Sequence, residues 1–319
     1  MSFKNVVLAG GGVLGSQIAY QSAYCGFDVT IYLRSEESVE RAKKKIDRLH
    51  KIYLAELEDY KSKLGDFIAT RMFGRGLYPH PENLTVEKID ELKSNADKAY
   101  ENIKYVTDLA EAVKDADLVI EAMAENPQAK IEFYEKLAPV LPEKTVIATN
   151  SSSMLPSAFA KYTGRPEKYL ALHFANNIWR GNTAEVMGHA GTEQKYYDEV
   201  AEFAAQIQMV PLLLKKEQPG YILNSMLIPF LKAAEVLLAR EVSDPQTIDL
   251  TWKLGTGAPK GPFEILDIVG LTTAYNIIMN NPDASDPSTE NGKIAAILKK
   301  YIDEGKTGIN AGEGFYKYN

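Results

Sequence analysis

Residues 6–19 read VVLAGGGVLGSQIA. An apolar run of strand character enters a glycine cluster, and the cluster opens a stretch with helical spacing. Gly10, Gly12 and Gly15 fall in the GxGxxG spacing between a strand and a helix, the context in which that pattern binds a dinucleotide. The first glycine permits the tight turn, the second lets a pyrophosphate approach the backbone, and the third brings helix close to strand. Unpaired amides at the start of the helix, around Val13 and Leu14, supply donors to the phosphate. A tight strand-to-helix turn that binds nothing is the alternative.

Further short apolar runs follow: DVTIYL (residues 28–33), IKYV (103–106), ADLVIEAM (116–123), TVIATN (145–150), YLALHF (169–174) and QMVPLLLK (208–215). Nearly continuous apolar strands are those buried on both faces, and helical stretches separate most of them, which predicts βαβ units and a doubly wound parallel sheet. The crossover at residues 36–98 is long for one connection. Its charged, helically spaced sequence fits either a protruding helical pair or an arm that contacts the substrate. After KEQPG (residues 216–220) the character changes. YILNSMLIPFLKAAEVLLARE is a helix apolar nearly all round, expected to be buried on several sides. The next helix starts with Asp244 as cap and Pro245 in its first turn, and is expected to stop at Gly255. The predicted fold is thus α/β: an N-terminal Rossmann domain over residues 1–216 with a doubly wound parallel sheet and a helical arm at about 36–98, then a smaller all-helical domain over 217–319. So apolar a helix in so small a domain hints at a subunit interface.

At 319 residues the chain exceeds what one core usually serves, in keeping with two domains. With 45% hydrophobic and 25% charged residues, extended disorder is not expected. No apolar stretch is long enough to cross a bilayer, and the N-terminus enters a strand directly, so no membrane partner and a cytoplasmic location are expected. A net charge of -7 with no basic, aromatic-interleaved stripe argues against nucleic acid. Cys25 is the sole cysteine, which excludes an intramolecular disulfide and a CxxC metal site; it is expected to be a small core residue, and no metal is expected.

Ligands of open α/β sheets sit beyond the carboxyl ends of the strands. Those ends carry the glycine loop, then Leu33, Arg34 and Ser35, then Glu125 and Asn126, then Asn150 followed by Ser151, Ser152 and Ser153, and finally His173. An acidic residue that would bond the ribose 2′-hydroxyl is missing from the end of the second strand. Arg34, helped by Ser35, can clamp a 2′-phosphate, which favours NADP over NAD. The alternative leaves Arg34 solvated while Glu36 or Glu37 reaches the ribose. With a nicotinamide on the same edge, a base is needed to take the proton of an alcohol, and histidine titrates in a suitable range. Glu185, twelve residues after His173, can accept the other imidazole N–H and fix the tautomer. A satisfied histidine at a strand end is the competing structural role.

These residues closely resemble the L-3-hydroxyacyl-CoA dehydrogenase family over nearly the whole chain, through AGGGVLGSQIA, ADLVIEAMAENPQAK, TVIATNSSS, LALHF with Glu185, EQPGYILNSMLIPFLKAAEVL, GAPKGPFEILDIVGL and TGINAGEGFYKYN. The resemblance implies a Rossmann domain, a helical dimerisation domain and hence a homodimer. It makes His173 the general acid/base and Glu185 its partner. Ser152 and Asn224 would hydrogen-bond the reacting oxygen or the substrate carbonyl, Glu125 and Lys130 would contact the cofactor, and the arm would cover CoA. Two departures stand out: the aspartate usual after the second strand is absent, and the Asn-Pro turn after the histidine is replaced by FANNIWRGNTAEVM. The implied reaction interconverts a short-chain 3-hydroxyacyl-CoA and its 3-keto form by hydride transfer with NAD(P). Relatives that act on free 3-hydroxy acids, sugar acids or diketo compounds are alternatives. A β-hydroxyacid dehydrogenase with a lysine four residues before the helix asparagine is disfavoured, because Gly220 stands there. A non-catalytic NAD(P)-binding protein is the alternative of another class.

Overall fold

The computed structural model describes residues 3–318. The chain divides into two compact units, one ending at Ile222 and the other starting at Leu223. The first is built on one sheet of β1 (Asn5–Ala9), β2 (Asp28–Tyr32), β3 (Lys104–Val106), β4 (Leu118–Glu121), β5 (Val146–Thr149), β6 (Tyr169–Phe174), β7 (Thr183–Met187) and β8 (Val210–Leu214). Its order is β3-β2-β1-β4-β5-β6-β7-β8. Strand order therefore reverses between β1 and β4, the point at which doubly wound sheets open a ligand crevice. β4, β5 and β6 are buried at every residue, which accounts for their nearly continuous apolar sequences.

One pairing departs from the parallel pattern: β7 runs antiparallel to β6. Only residues 175–182 connect them, too few for a parallel crossover of roughly a dozen residues or more, so the chain must turn straight back. This return sets His173 directly opposite Glu185.

Helix α1 (Val13–Tyr24) follows the glycine loop, and α2 (Glu36–Lys61), α3 (Phe67–Met72) and α4 (Val86–Asn102) make up the long crossover. The crossover helices do not stand free as a protruding pair. Val39, Ala42, Ile46, Leu49, Tyr53, Leu57 and Tyr60 of α2 are buried in the same core as Val6 and Leu8 of β1. Tyr53 meets Tyr20 and Tyr24 of α1 edge-on, at ring separations of 4.8 Å and 5.3 Å. On the other face lie α5 (Leu109–Val113) and α6 (Pro127–Leu137), while α7 (Gln194–Gln206) leads into β8. Asn126 caps α6, its Oδ1 accepting from the Ala129 amide at 2.9 Å. Cys25 is only partly buried and packs on the edge of the core.

The second unit consists of α8 (Leu223–Ala239), α9 (Pro245–Thr256), α10 (Pro262–Val269), α11 (Leu271–Met279) and α12 (Glu290–Asp303) around Phe263, Leu266, Leu271, Ile294 and Leu298. Asp244 caps α9, accepting from the Thr247 amide at 2.7 Å. The helix passes through Gly255 to Thr256 and is capped by Gly257, which takes the left-handed conformation at φ +73°. Burial of α8 on several sides is not found: Leu231, Ala234, Glu235 and Ala239 are buried, whereas Met226 is 69% exposed and Leu223, Ile228 and Leu237 are exposed too. Among the described residues no helix is long and apolar enough to cross a membrane.

Glu235 is a carboxyl inside this second core. Burial pushes it up from 4.5 to about 7, with Lys232 opposing the shift. The folded state therefore holds a proton that the unfolded chain releases between those values. Glu235 costs nothing below about pH 4.5, and stability is lost as pH rises toward and through 7. We expect Glu235→Gln to match the wild type near pH 4.5 and to exceed it at pH 8 by up to about 3 kcal/mol. Urea melts of both proteins across that range check this, and a pH-independent difference would refute it.

Candidate active site

The three loop glycines differ in their surroundings. Gly10 turns the chain at φ +117°, and a Cβ there would lie 2.6 Å from the Ala122 carbonyl oxygen. A Cβ on Gly15 would lie 2.3 Å from the Gly10 carbonyl oxygen, so this residue sets the closeness of α1 to β1. At Gly12, the N-cap of α1, a Cβ would meet no protein atom within 4 Å. The space there is open toward the unpaired amides of the first helical turn, at Val13 and Leu14, which fits the phosphates of a dinucleotide.

That difference gives a test. Gly12→Ala should fold as the wild type does and bind the coenzyme at least about tenfold more weakly, or ~1.4 kcal/mol, because the methyl takes the space of the phosphates. Gly15→Ala should instead lose stability by about 1–3 kcal/mol through overpacking. Thermal melts and fluorescence titration with reduced nicotinamide coenzyme separate the two. Loss of stability in Gly12→Ala would count against the open cradle.

At the end of β2, Leu33 is buried and Arg34 is exposed. The Ser35 hydroxyl caps α2, accepting from the Ser38 amide at 3.3 Å. Arg34 makes no hydrogen bond or ion pair among the described residues, and Glu36 and Glu37 lie in the first turn of α2.

His173 ends the line of strand termini. Its Nδ1 is 3.0 Å from Glu185 Oε2 and its Nε2 is 3.1 Å from Ser152 Oγ. A carboxylate can only accept, so the shared proton sits on Nδ1 and the Nε2 lone pair faces the serine hydroxyl. His173 and Glu185 are both nearly inaccessible to water, and the second Glu185 oxygen accepts the Ile222 amide at 2.8 Å. The antiparallel β6–β7 pairing is the cause of this geometry, since residues directly opposite on such strands project to the same face.

Ser152 lies in the loop after β5, which Glu125 gathers: its Oε2 accepts from Ser151 Oγ at 2.6 Å and Ser153 Oγ at 3.1 Å, and its Oε1 from the Ser152 amide at 3.3 Å. The Asn150 side chain accepts the Phe174 amide at 3.1 Å and joins the ends of β5 and β6. The glycine loop, Glu125, Asn150, Ser152 and His173 thus occupy one edge of the sheet. Asn224 belongs to the other unit, as the second residue of α8.

Lys130 is paired with Glu121. Its ammonium donates to both oxygens of Glu121, at 2.7 Å and 2.8 Å, with both side chains buried, and stands 3.9 Å from Glu125. Glu121 also accepts from Tyr134 Oη at 3.0 Å, Thr149 Oγ1 at 2.7 Å and the Met123 amide at 2.7 Å. A glutamate inside the apolar run ADLVIEAM was the available signal, because a charge on a fully buried strand needs a counter-charge. Nothing in the local sequence pattern marks Tyr221, which stacks on His173.

The turn after His173, where the family pattern fails, is fastened to the arm. The Trp179 indole and the Arg180 guanidinium both donate to Glu56 Oε1 of α2, at 2.7 Å and 2.9 Å. The Asn177 amide donates to Gln17 of α1 at 2.8 Å. A Cβ on Gly74 or Gly76 would lie 2.3 Å from the Trp179 carbonyl oxygen or 2.4 Å from that of Ile178. Among the described residues no cluster of three or more His, Cys, Asp or Glu side chains could hold a metal ion.

The family described as 3-hydroxyacyl-CoA dehydrogenase, NAD binding domain, matches residues 5–70 and 81–218, and its C-terminal domain matches residues 220–318. The human mitochondrial hydroxyacyl-coenzyme A dehydrogenase is 32% identical over 318 residues, covering 99% of this chain and 91% of that protein. A probable 3-hydroxybutyryl-CoA dehydrogenase of Deinococcus radiodurans is 30% identical over 311 residues, covering 97% and 98%. Among solved structures, a diketoreductase described by its dual catalysis of dicarbonyl compounds is 48% identical, covers all of both chains and superposes with a TM-score of 0.82. With both family domains matched in order over nearly its whole length, this chain belongs to the 3-hydroxyacyl-CoA dehydrogenase family and is an oxidoreductase acting on CH–OH groups with a nicotinamide cofactor.

Proposed function

We propose that the protein reversibly interconverts a short-chain 3-hydroxyacyl-CoA and its 3-keto form, with His173 as the proton-transferring group. The supporting observation is the imidazole held between Glu185 and Ser152 on the sheet edge that also carries the glycine loop. With its proton kept on Nδ1 by Glu185, the neutral ring presents the Nε2 lone pair to a hydroxyl. The Ser152 hydroxyl already bonds that nitrogen, so an alcohol oxygen brought there lies within reach of both. In oxidation His173 takes the substrate hydroxyl proton, and Glu185 stabilises the resulting imidazolium; in reduction His173 returns the proton to the forming alkoxide while Ser152 donates to the same oxygen. Asn224 is assigned to that oxygen by the family resemblance alone. A bound nicotinamide supplies the hydride acceptor in oxidation and the donor in reduction. Gly12 with the amides of Val13 and Leu14 would hold its phosphates, with Glu125, Lys130 and Asn150 beyond them.

A second reading has its own support. A 3-ketoacyl thioester is itself a 1,3-dicarbonyl, and the relative at 48% identity acts on dicarbonyl compounds. A free diketo substrate would use the same base and the same serine, without the CoA moiety. Arg34, exposed at the end of β2, supports acceptance of a 2′-phosphate and hence NADP. The exposed apolar residues of α8 support a homodimer through the second unit.

One spectrophotometric panel tests all but the dimer. Acetoacetyl-CoA, a free 3-keto acid and a diketo ester are each supplied with NADH and with NADPH. Acetoacetyl-CoA with the highest kcat/KM supports the first reading. Turnover of the diketo ester alone would replace it with the second, and strong discrimination against NADPH would remove the role given to Arg34. Sedimentation of a single 35.4 kDa species would refute the dimer.

A further inference from the structure

We infer that Tyr221 is a positioning residue for His173, and that Gly220, Tyr221 and Ile222 together hold the imidazole, its carboxylate and the serine loop in register. The Tyr221 ring lies parallel to the His173 ring, 4.3 Å between centroids and 8° between planes. Its hydroxyl donates to the Ser151 carbonyl at 2.7 Å, one residue before the serine that bonds Nε2. The next amide, on Ile222, donates to Glu185 Oε1. Two consecutive residues, placed by the turn at Gly220, thus touch His173, Glu185 and the loop that carries Ser152.

The need for such a contact follows from the hydrogen bonds themselves. The bonds at Nδ1 and Nε2 lie in the imidazole plane and define an axis through the ring. They oppose in-plane rotation and do little against tilting about that axis. A flat ring on one face blocks the tilt. Tyr221 is only 1% exposed, so it also keeps water off that face. Burial pushes its phenol well above the usual tyrosine range, which keeps the hydroxyl a neutral donor to Ser151. The backbone is committed to this placement: Gly220 has φ +78° and Tyr221 itself φ +55°, a left-handed conformation that tyrosine seldom adopts and that its surroundings must maintain.

The inference rests on His173 being the base, so one arm of the experiment is independent of turnover. Tyr221→Phe keeps the ring and loses the bond to Ser151; Tyr221→Leu removes the flat face. With the substrate that the panel selects, Tyr221→Leu should lower kcat about 10- to 100-fold, the scale of a misplaced catalytic group. KM should stay within about threefold of the wild type, as for an interaction that matters in the transition state. Tyr221→Phe should recover most of the loss. In nitrogen NMR of the His173 side chain, identified among the four histidines by its absence in His173→Gln, the wild type and Tyr221→Phe should show a single Nδ1–H tautomer. Tyr221→Leu should show the two ring nitrogens averaging. A single tautomer kept in Tyr221→Leu overturns the inference whatever the activity. Wild-type kcat in that variant overturns it too, while a wild type that turns over no substrate refutes the catalytic reading and leaves the NMR arm to decide the positioning.

Discussion

His173→Gln should lower kcat for oxidation and reduction by about three orders of magnitude, within the usual contribution of general acid–base catalysis, and leave coenzyme affinity unchanged. Glutamine can still bond Glu185 and Ser152 but cannot exchange a proton near neutral pH. Because the glycine loop lies strands away on β1, coenzyme binding should not change. Glu185→Gln sharpens the test. The Ile222 amide donates to Oε1, so the replacement carboxamide keeps its carbonyl oxygen there and turns its NH2 toward Nδ1. Nδ1 must then accept, and the ring proton moves to Nε2, where it blocks uptake of the substrate proton. We expect a loss of about 100-fold or more in oxidation from this inverted tautomer. Stopped-flow single turnovers on both variants measure the chemical step directly. Full turnover in His173→Gln would end the assignment, and an unimpaired Glu185→Gln would show that the carboxylate does not set the tautomer.

The parts of this site that were legible in the sequence are those encoded locally. The glycine loop is read from the neighbouring residues 6–19, and its three positions differ in their surroundings. The strand ends were found because buried parallel strands are apolar runs that stop abruptly at polar residues such as Asn150 and His173. The pairing of His173 with Glu185 was legible as a possibility only. The twelve-residue gap carries no direction, and the antiparallel return of β7 makes it a contact. The fate of the arm was hidden because its charges lie on one face, whereas the buried tyrosines, Tyr53 and Tyr60, carry hydroxyls that a sequence cannot assign to Gln21 and Pro81. The α8 helix misled for a physical reason: an all-apolar surface says that something must cover it, not whether that cover belongs to the same chain.

Lys130→Met should destabilise the first unit by about 3–5 kcal/mol, because it leaves the Glu121 carboxylate buried with no counter-charge. Glu121 is wholly enclosed, and its remaining partners, Tyr134, Thr149 and the Met123 amide, are neutral donors. The double variant Glu121→Gln/Lys130→Met removes both charges, keeps an amide oxygen for the Met123 amide and turns its NH2 toward the Tyr134 and Thr149 hydroxyls, which can accept. Replacing a buried pair by neutral groups of similar volume is often close to neutral, so most of the loss should be recovered. Coenzyme affinity then separates two roles for this lysine. The Glu121 network fixes the end of β4, and the next residue, Ala122, presents the carbonyl against which Gly10 turns. If Lys130 acts through that scaffold, the double variant regains coenzyme binding together with stability. If its ammonium contacts the coenzyme, as the family resemblance implies, stability returns and affinity does not. Because Lys130 is 1% exposed and donates to both carboxylate oxygens, we expect the first outcome. Urea melts and coenzyme titrations on the wild type, Lys130→Met and the double variant decide it, and a double variant as unstable as Lys130→Met would overturn the ion-pair account altogether.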